Sequence, residues 1–263
     1  MNRLSFLMAF IFCCNLGFSR GVLARNISSS TLSVMMDSQH HEYVDLGLPS
    51  GTLWATCNVG ADNPWEYGDY FAWGEISPKS YYWWDSYKWI AYREPEQEDF
   101  ESSDPDFSYI TKYVYSLTGK CWDTGQGELL SEDDAATVLW GDNWCTPSKE
   151  QIRELSNMSY TFMEKCTVNG VSGLNVKSKI NGNCIFLPSA GLFSFDSLQE
   201  VGEVGYYWSR TGATSRSSYH LRSGYNGSSI IQCSSYGRHF GMSIRPVHEP
   251  LVSHLEQVGT TFP

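Results

Sequence analysis

Tyr160-Thr161-Phe162-Met163-Glu164-Lys165-Cys166-Thr167, Leu174-Asn175-Val176-Lys177-Ser178-Lys179 and Cys184-Ile185-Phe186-Leu187-Pro188 are three short runs separated by Asn169-Gly170 and Asn181-Gly182. Asn-Gly is a strong hairpin signal, because a tight two-residue turn needs positive φ and these residues adopt it cheaply. The stretch therefore predicts antiparallel hairpins. Upstream lie two helix starts. Ser131 is expected to cap the first, with Glu132, Asp133 and Asp134 at the positive end of the dipole. Its apolar face is expected to be Ala135, Ala136, Leu139 and Trp140, ending at Gly141. The second opens at Thr146-Pro147-Ser148, with Ser148 and Gln151 at capping-box spacing and Ile152, Leu155 and Met158 recurring on one side. Two helices followed by antiparallel hairpins indicate an α+β fold.

Toward the N-terminus, Tyr43 to Gly60 reads as two short strands around Pro49-Ser50-Gly51, and Tyr67 to Glu75 as a buried aromatic strand ending in a turn. Residues 76–120 are the least regular part. Tyr81-Tyr82-Trp83-Trp84 is followed there by Glu94, Glu96, Glu98, Asp99, Glu101, Asp104 and Asp106. Clustered oxygen ligands suit calcium, but the spacing matches no EF-hand, so a solvated acidic insertion is the expectation.

The 263 residues are 41% apolar and suffice for one large domain with appendages. A net charge of −11 argues against nucleic acid, which demands a clustered positive field. Arg3, the apolar run Leu4 to Leu16 and Val22-Leu23-Ala24 form an export signal expected over 1–24; the run is too short to span a bilayer. Phe10-Ile11-Phe12 is too bulky for a lipid-attachment motif before Cys13 or Cys14, so export without an anchor is expected, to the cell surface or medium. Ser-rich 25–42 reads as a flexible linker, 43–248 as the folded domain and 249–263 as a tail, whose Leu251, Val252, Leu255 and Val258 suit a short helix packing back on the domain. His40-His41 could bind metal but lacks partners at ligand spacing. Outside the signal, Cys57, Cys121, Cys145, Cys166, Cys184 and Cys233 show no metal-ligand spacing, and no metal or cofactor is expected.

Between Gly205-Tyr206-Tyr207-Trp208-Ser209 and Gly241-Met242-Ser243-Ile244-Arg245-Pro246-Val247 the chain is almost wholly Ser, Tyr, Gly, Arg, Asn and His. Tyr provides a stiff amphipathic face, and Ser, Gly and Asn provide adaptable hydrogen bonds, as in antibody paratopes. Residues 206–240 are thus the expected recognition surface, with Tyr219, Arg222, Tyr225, Asn226, Tyr236 and Arg238 as leading contacts. A polysaccharide suits aromatic faces and polar tips; a protein partner is equally compatible. No Ser-His-Asp pattern or glycosidase-type acid pair stands out.

Taken together, Val44 to Gly51, Trp54 to Ala61, Tyr67 to Glu75, Glu132 to Ala136, Asn183 to Pro188, and Tyr207-Trp208-Ser209 with Ser243 to Val247 resemble the bacterial family known as the Fibrobacter succinogenes major paralogous domain. The likeness covers residues 43–248. It departs at Trp144-Cys145-Thr146-Pro147, where Trp-Arg-Met-Pro is expected, and at Arg210, where Ser is usual. The resemblance implies an exported protein with a C-type-lectin-like fold, related to formylglycine-generating enzymes and to the targets of diversity-generating retroelements, with a ligand surface near the C-terminal end. An adhesin-like binding domain is the resulting expectation. The alternatives are a structural or fimbrial-type subunit and, less favoured, an oxidase using a copper-holding thiol pair, for which Cys233 has no near partner in sequence.

Overall fold

A computed structural model describes residues 34–92, 108–116, 121, 123–124 and 127–248. The expected signal, lipid-motif cysteines, acidic residues Glu94 to Asp106 and tail lie outside them. In chain order the strands are β1 (Val34–Met36), β2 (Glu42–Asp45), β3 (Leu53–Ala55), β4 (Ile90–Tyr92), β5 (Ser108–Ile110), β6 (Trp144–Cys145), β7 (Thr161–Val168), β8 (Val171–Ser178), β9 (Cys184–Pro188), β10 (Leu192–Ser194), β11 (Ser197–Gln199), β12 (Gly205–Gly212), β13 (Ser217–Ser223), β14 (Ile231–Gly237) and β15 (Val247–His248). The α-helices among the described residues are α1 (Ala135–Trp140) and α2 (Lys149–Leu155). All named strand pairs are antiparallel, so the chain is β-rich with helices a minor share.

Alternating burial and turn chemistry explain the hairpins. Asn169 and Gly170 both hold positive φ, 50° and 82°, as a type I′ turn requires, and join β7 to β8 in register from Val168↔Val171 to Thr161↔Ser178. β9 pairs with the other edge of β8. The first sheet runs β1-β2-β3-β15-β6, so the last described strand lies between β3 and β6, elements far apart in sequence. Arg245 secures this closure. Its buried guanidinium donates to Asn58 Oδ1 at 2.8 Å and to the carbonyls of Ala55 and Thr56 at 3.2 and 2.9 Å. Unpaired, those buried acceptors would cost about 1–3 kcal/mol each.

The other aromatic blocks interlock similarly. Trp73 Nε1 donates to Ser209 O at 2.8 Å, and Trp208 Nε1 donates to Phe71 O at 2.7 Å. Tyr67 to Glu75 is nevertheless not a regular strand; Phe71 makes only an isolated bridge to Met242, and the segment is held by aromatic burial. The irregular 76–120 stretch is also more than a solvated insertion. Tyr82, Tyr87, Trp89 and Tyr113 belong to the same core cluster as Trp73 and Trp208.

Three local expectations are corrected. β1 pairs with β2 through Val34↔Val44, so the supposed linker already contains sheet. The turn between them is held by Asp37, whose carboxylate accepts from the His41 N–H at 2.7 Å and from Trp144 Nε1 at 2.7 Å. Ser131 opens a single 3-10 turn, and the cap of α1 is Asp134. Asp134 accepts from Ala136 N–H and from both the N–H and hydroxyl of Thr146, binding α1 to the entry of α2. Finally, Leu139 is 48% and Met158 68% exposed; six- and seven-residue helices are too short to keep a full apolar stripe over the core. The Ser148–Gln151 capping box forms as expected, with Ile152 and Leu155 buried beneath α2.

α2 packs against β12, β13 and β14. That sheet therefore has two unlike faces: Tyr207, Leu221 and Ile231 join Ile152 and Leu155 on one, while Tyr206 and Trp208 join the aromatic core on the other.

Candidate ligand-binding face

Strand alternation decides which expected contacts can act together. In β13, Tyr219 and Leu221 point toward α2, whereas Ser218, His220 and Arg222 point the other way. Tyr219 is half-buried under Lys149, whose Nζ lies 4.9 Å from the ring centroid, so it is separated from the other contacts. Arg222 stacks on Tyr225 at 3.8 Å and donates from Nη2 to Gln232 Oε1 at 2.6 Å; Asn226 sits beside Tyr225, exposed, at φ 50°. Tyr236 pairs in register with Ser218, on the same face as His220 and Arg222, and is 44% exposed. Arg238 is a correction: with 0% exposure it is a core cation. Its guanidinium lies 4.3 Å from the centroid of Trp73 and donates to Ser218 Oγ, because strand β14 ends at Gly237 and the chain turns inward.

From Tyr236 a band of rings continues through His239 and Phe240, inside the expected surface 206–240 but not among its leading contacts, to residues outside that surface. Tyr236 stacks on Phe240 at 4.4 Å, Phe240 lies 4.1 Å from His239, and His239 meets Trp83 at 4.8 Å and Trp84 at 4.4 Å. Trp83 stacks on Phe195 at 4.3 Å, and Tyr81 closes the band 6.1 Å further on. At the other end His220 links Tyr236 to Tyr206. Tyr81, Phe195 and Tyr236 present exposed surface, and Trp83 and Trp84 are half-buried. The only signal for the distant half was the run Tyr81 to Trp84, whose position beside acidic residues concealed its role.

Phe195 stands at the tip of the β10–β11 hairpin with φ 56°, a conformation bulky residues rarely adopt. Reciprocal backbone hydrogen bonds with Tyr82, at 2.7 and 2.9 Å, hold it there. A strained, exposed aromatic that the surrounding fold over-determines is typical of binding and catalytic sites.

Charges of both signs flank the band, with Asp85 and Asp196 near Tyr81 and Lys79 near His239. Arg216 lies 5.2 Å from the Trp84 centroid, and Tyr206 donates its hydroxyl to Glu200 Oε2 at 2.5 Å. Burial, reinforced by Glu200, pushes the Tyr206 phenol well above its usual range. Burial pushes His220 down to about 3, with Arg222 adding to the effect, and His239 down to about 4, with Lys79 and Arg216 contributing. Both rings are therefore neutral at pH 7. None of their nitrogens has a hydrogen-bond partner.

No group of three or more metal-ligating side chains occurs among the described residues. His41 instead pairs with Asp37 at 3.0 Å and stacks on Trp140. Cys233 is a free thiol on the α2 side of the sheet, and burial raises it above its ordinary value. No helix among the described residues is long and apolar enough to cross a membrane. Comparison of the chain with protein-family models, curated proteins and solved structures finds no match.

Proposed function

We propose that this protein is an exported, non-enzymatic, C-type-lectin-like binding domain whose ligand is a neutral glycan, held on the aromatic band. The observation that carries the reading is the convergence of Tyr81, Trp83, Phe195, Tyr236 and Phe240, from separate segments, into one partly exposed band. Flat rings stack on the C–H faces of sugars, while marginal groups such as Glu200, Arg216 and Arg222 reach hydroxyls. A glycan is the ligand chosen for the test because rows of partly exposed rings with polar margins suit the stacking of sugar C–H faces. The β-rich architecture and a recognition region in the C-terminal half accord with the C-type-lectin-like resemblance. The Arg3 to Ala24 signal supports export.

The test is calorimetric titration of the domain with soluble glucan, xylan and mannan, using wild type, Trp83→Ala, Tyr236→Ala and Phe195→Asn. Asn accepts the Phe195 backbone conformation, so that variant removes the ring without adding strain. Loss of each ring should weaken binding by about 5- to 150-fold, as removal of one stacked aromatic contact worth about 1–3 kcal/mol would. Absence of binding to all three glycans, or undiminished binding by all three variants, overturns the proposal.

A further inference from the structure

The two edges of the β12-β13-β14 sheet are treated unequally. The outer side of β12 is taken up by neighbouring segments: Trp208 N–H donates to Ser243 O at 3.0 Å, Arg210 N–H to Pro147 O at 2.9 Å and Gly212 N–H to Gly127 O at 2.8 Å. β14 is bare by comparison. It runs seven residues in unbroken register with β13, and among the described residues no strand pairs with its far side. Arg238 N–H donates to Arg216 O at 3.0 Å, one step past the Gly237↔Ser217 pair, which fixes the alternation along the strand. Gln232, Ser234 and Tyr236 therefore bond back to β13, and the N–H and C=O groups of Ile231, Cys233 and Ser235 point to the open edge. Lysine, proline and bulges are the usual guards of such an edge, and β14 has none of them.

We propose that β14 is a self-association edge, pairing antiparallel with β14 of a second copy of this chain about a two-fold axis at Cys233. In that register Ile231 lies opposite Ser235 and Cys233 opposite its own counterpart, and each such pair exchanges two backbone hydrogen bonds. Charge and shape both select a second copy. The chain carries a net charge of −11, yet Ser223 to Gly237 holds no charged residue, and α2 sets Lys149, Glu150 and Arg153, of both signs, around Cys233. Two copies therefore meet here without a single-sign cluster facing its own image. The apolar ends of the edge are also self-complementary: Ile230 is 43% and Tyr236 44% exposed, and the two-fold register brings each against the other on one face. The axis closes the pair, so association stops at a dimer, and a single strand pair is a small interface, so the dimer is a weak one. Because opposite residues of an antiparallel pair share a face, the aromatic bands of the two copies lie on the same side of the joined sheet.

Sedimentation equilibrium of the exported chain under reducing conditions, from about 1 µM to 1 mM, tests this together with amide hydrogen exchange. The mass should rise toward that of two chains with concentration, and the amides of Ile231, Cys233 and Ser235 should become protected in step with it. Ser235→Pro removes one outward N–H and leaves every bond to β13 in place, so it should melt within a few degrees of wild type and weaken dimerisation at least about tenfold. Ser234→Lys sets like charges diagonally across the axis and should weaken it similarly, which decides the matter if the proline variant does not fold. Ser235 lies on the α2 side of the sheet, away from the aromatic band, so the outcome is read independently of glycan binding. Monomer at every concentration, a dimer whose β14 amides stay unprotected, or folded variants that dimerise like wild type would each overturn the proposal.

Discussion

Acidification should destabilise this domain through two histidines. His220 and His239 are buried with unpartnered ring nitrogens, and burial sets them at about 3 and about 4 against an ordinary 6.5. Because the folded values lie below the unfolded one, the unfolded chain takes up protons first as pH falls. The neutral rings' contribution is thus fully present above about pH 6.5 and is lost progressively down to about pH 3–4. At pH 5 each unfolded histidine is about 1.5 units below its pKa, which at about 1.4 kcal/mol per unit gives about 2 kcal/mol per ring. Together they remove about 4 kcal/mol from a stability of about 5–15 kcal/mol. Guanidinium unfolding followed by tryptophan fluorescence at pH 8 and pH 5 measures the loss. His220→Leu should roughly halve the difference between the two pH values. Asp134, raised by burial, acts with the opposite sign but equally in both proteins, so the comparison isolates His220. At pH 8 the Leu variant should be as stable as wild type or more so, because two orphaned polar atoms vanish into an apolar ring cluster. An unchanged pH dependence in His220→Leu would refute the reasoning; so would a loss above about 2 kcal/mol at pH 8, the scale of a broken buried hydrogen bond.

Two further outcomes are expected. Trp54→Ala and Trp208→Ala, at fully buried rings, should each cost about 3–5 kcal/mol in denaturant unfolding, whereas half-buried Trp83→Ala should cost less than half as much; equal costs would place Trp83 in the core. Ser148→Ala should lose about 1 kcal/mol by opening the capping box of α2, read as a lower midpoint at unchanged denaturant slope.

Local chemistry was legible wherever a residue's neighbours in sequence are also its partners in space. Asn169-Gly170 announced the β7–β8 turn, and Ser148 with Gln151 announced the start of α2, because these interactions close within three or four residues. The α1 cap was misplaced by three residues because Asp134 is recruited by Thr146, twelve positions away, and the end of the supposed linker became β1 because Asp37 finds Trp144 across 107 positions. The candidate site divides in the same way. Arg222, Tyr225 and Asn226 lie close in sequence and meet at one end of the face, while Tyr219 and Arg238 are removed from it by strand alternation and by an inward turn.

By itself, then, the sequence determined the three strand runs from Tyr160 to Pro188 and the Asn169-Gly170 turn, the capped helix at Ser148, and the aromatic and polar composition from which a binding face could be made. Tertiary structure alone decided which of those aromatics share a surface. Trp83, Phe195 and Phe240 are brought together by the pairing of Tyr82 with Phe195 and of Phe193 with Gly241, contacts across more than forty residues in each case. Periodicity records which side of its own element a residue occupies, but not which other element will cover that side; that depends on how the buried faces of distant segments fit one another.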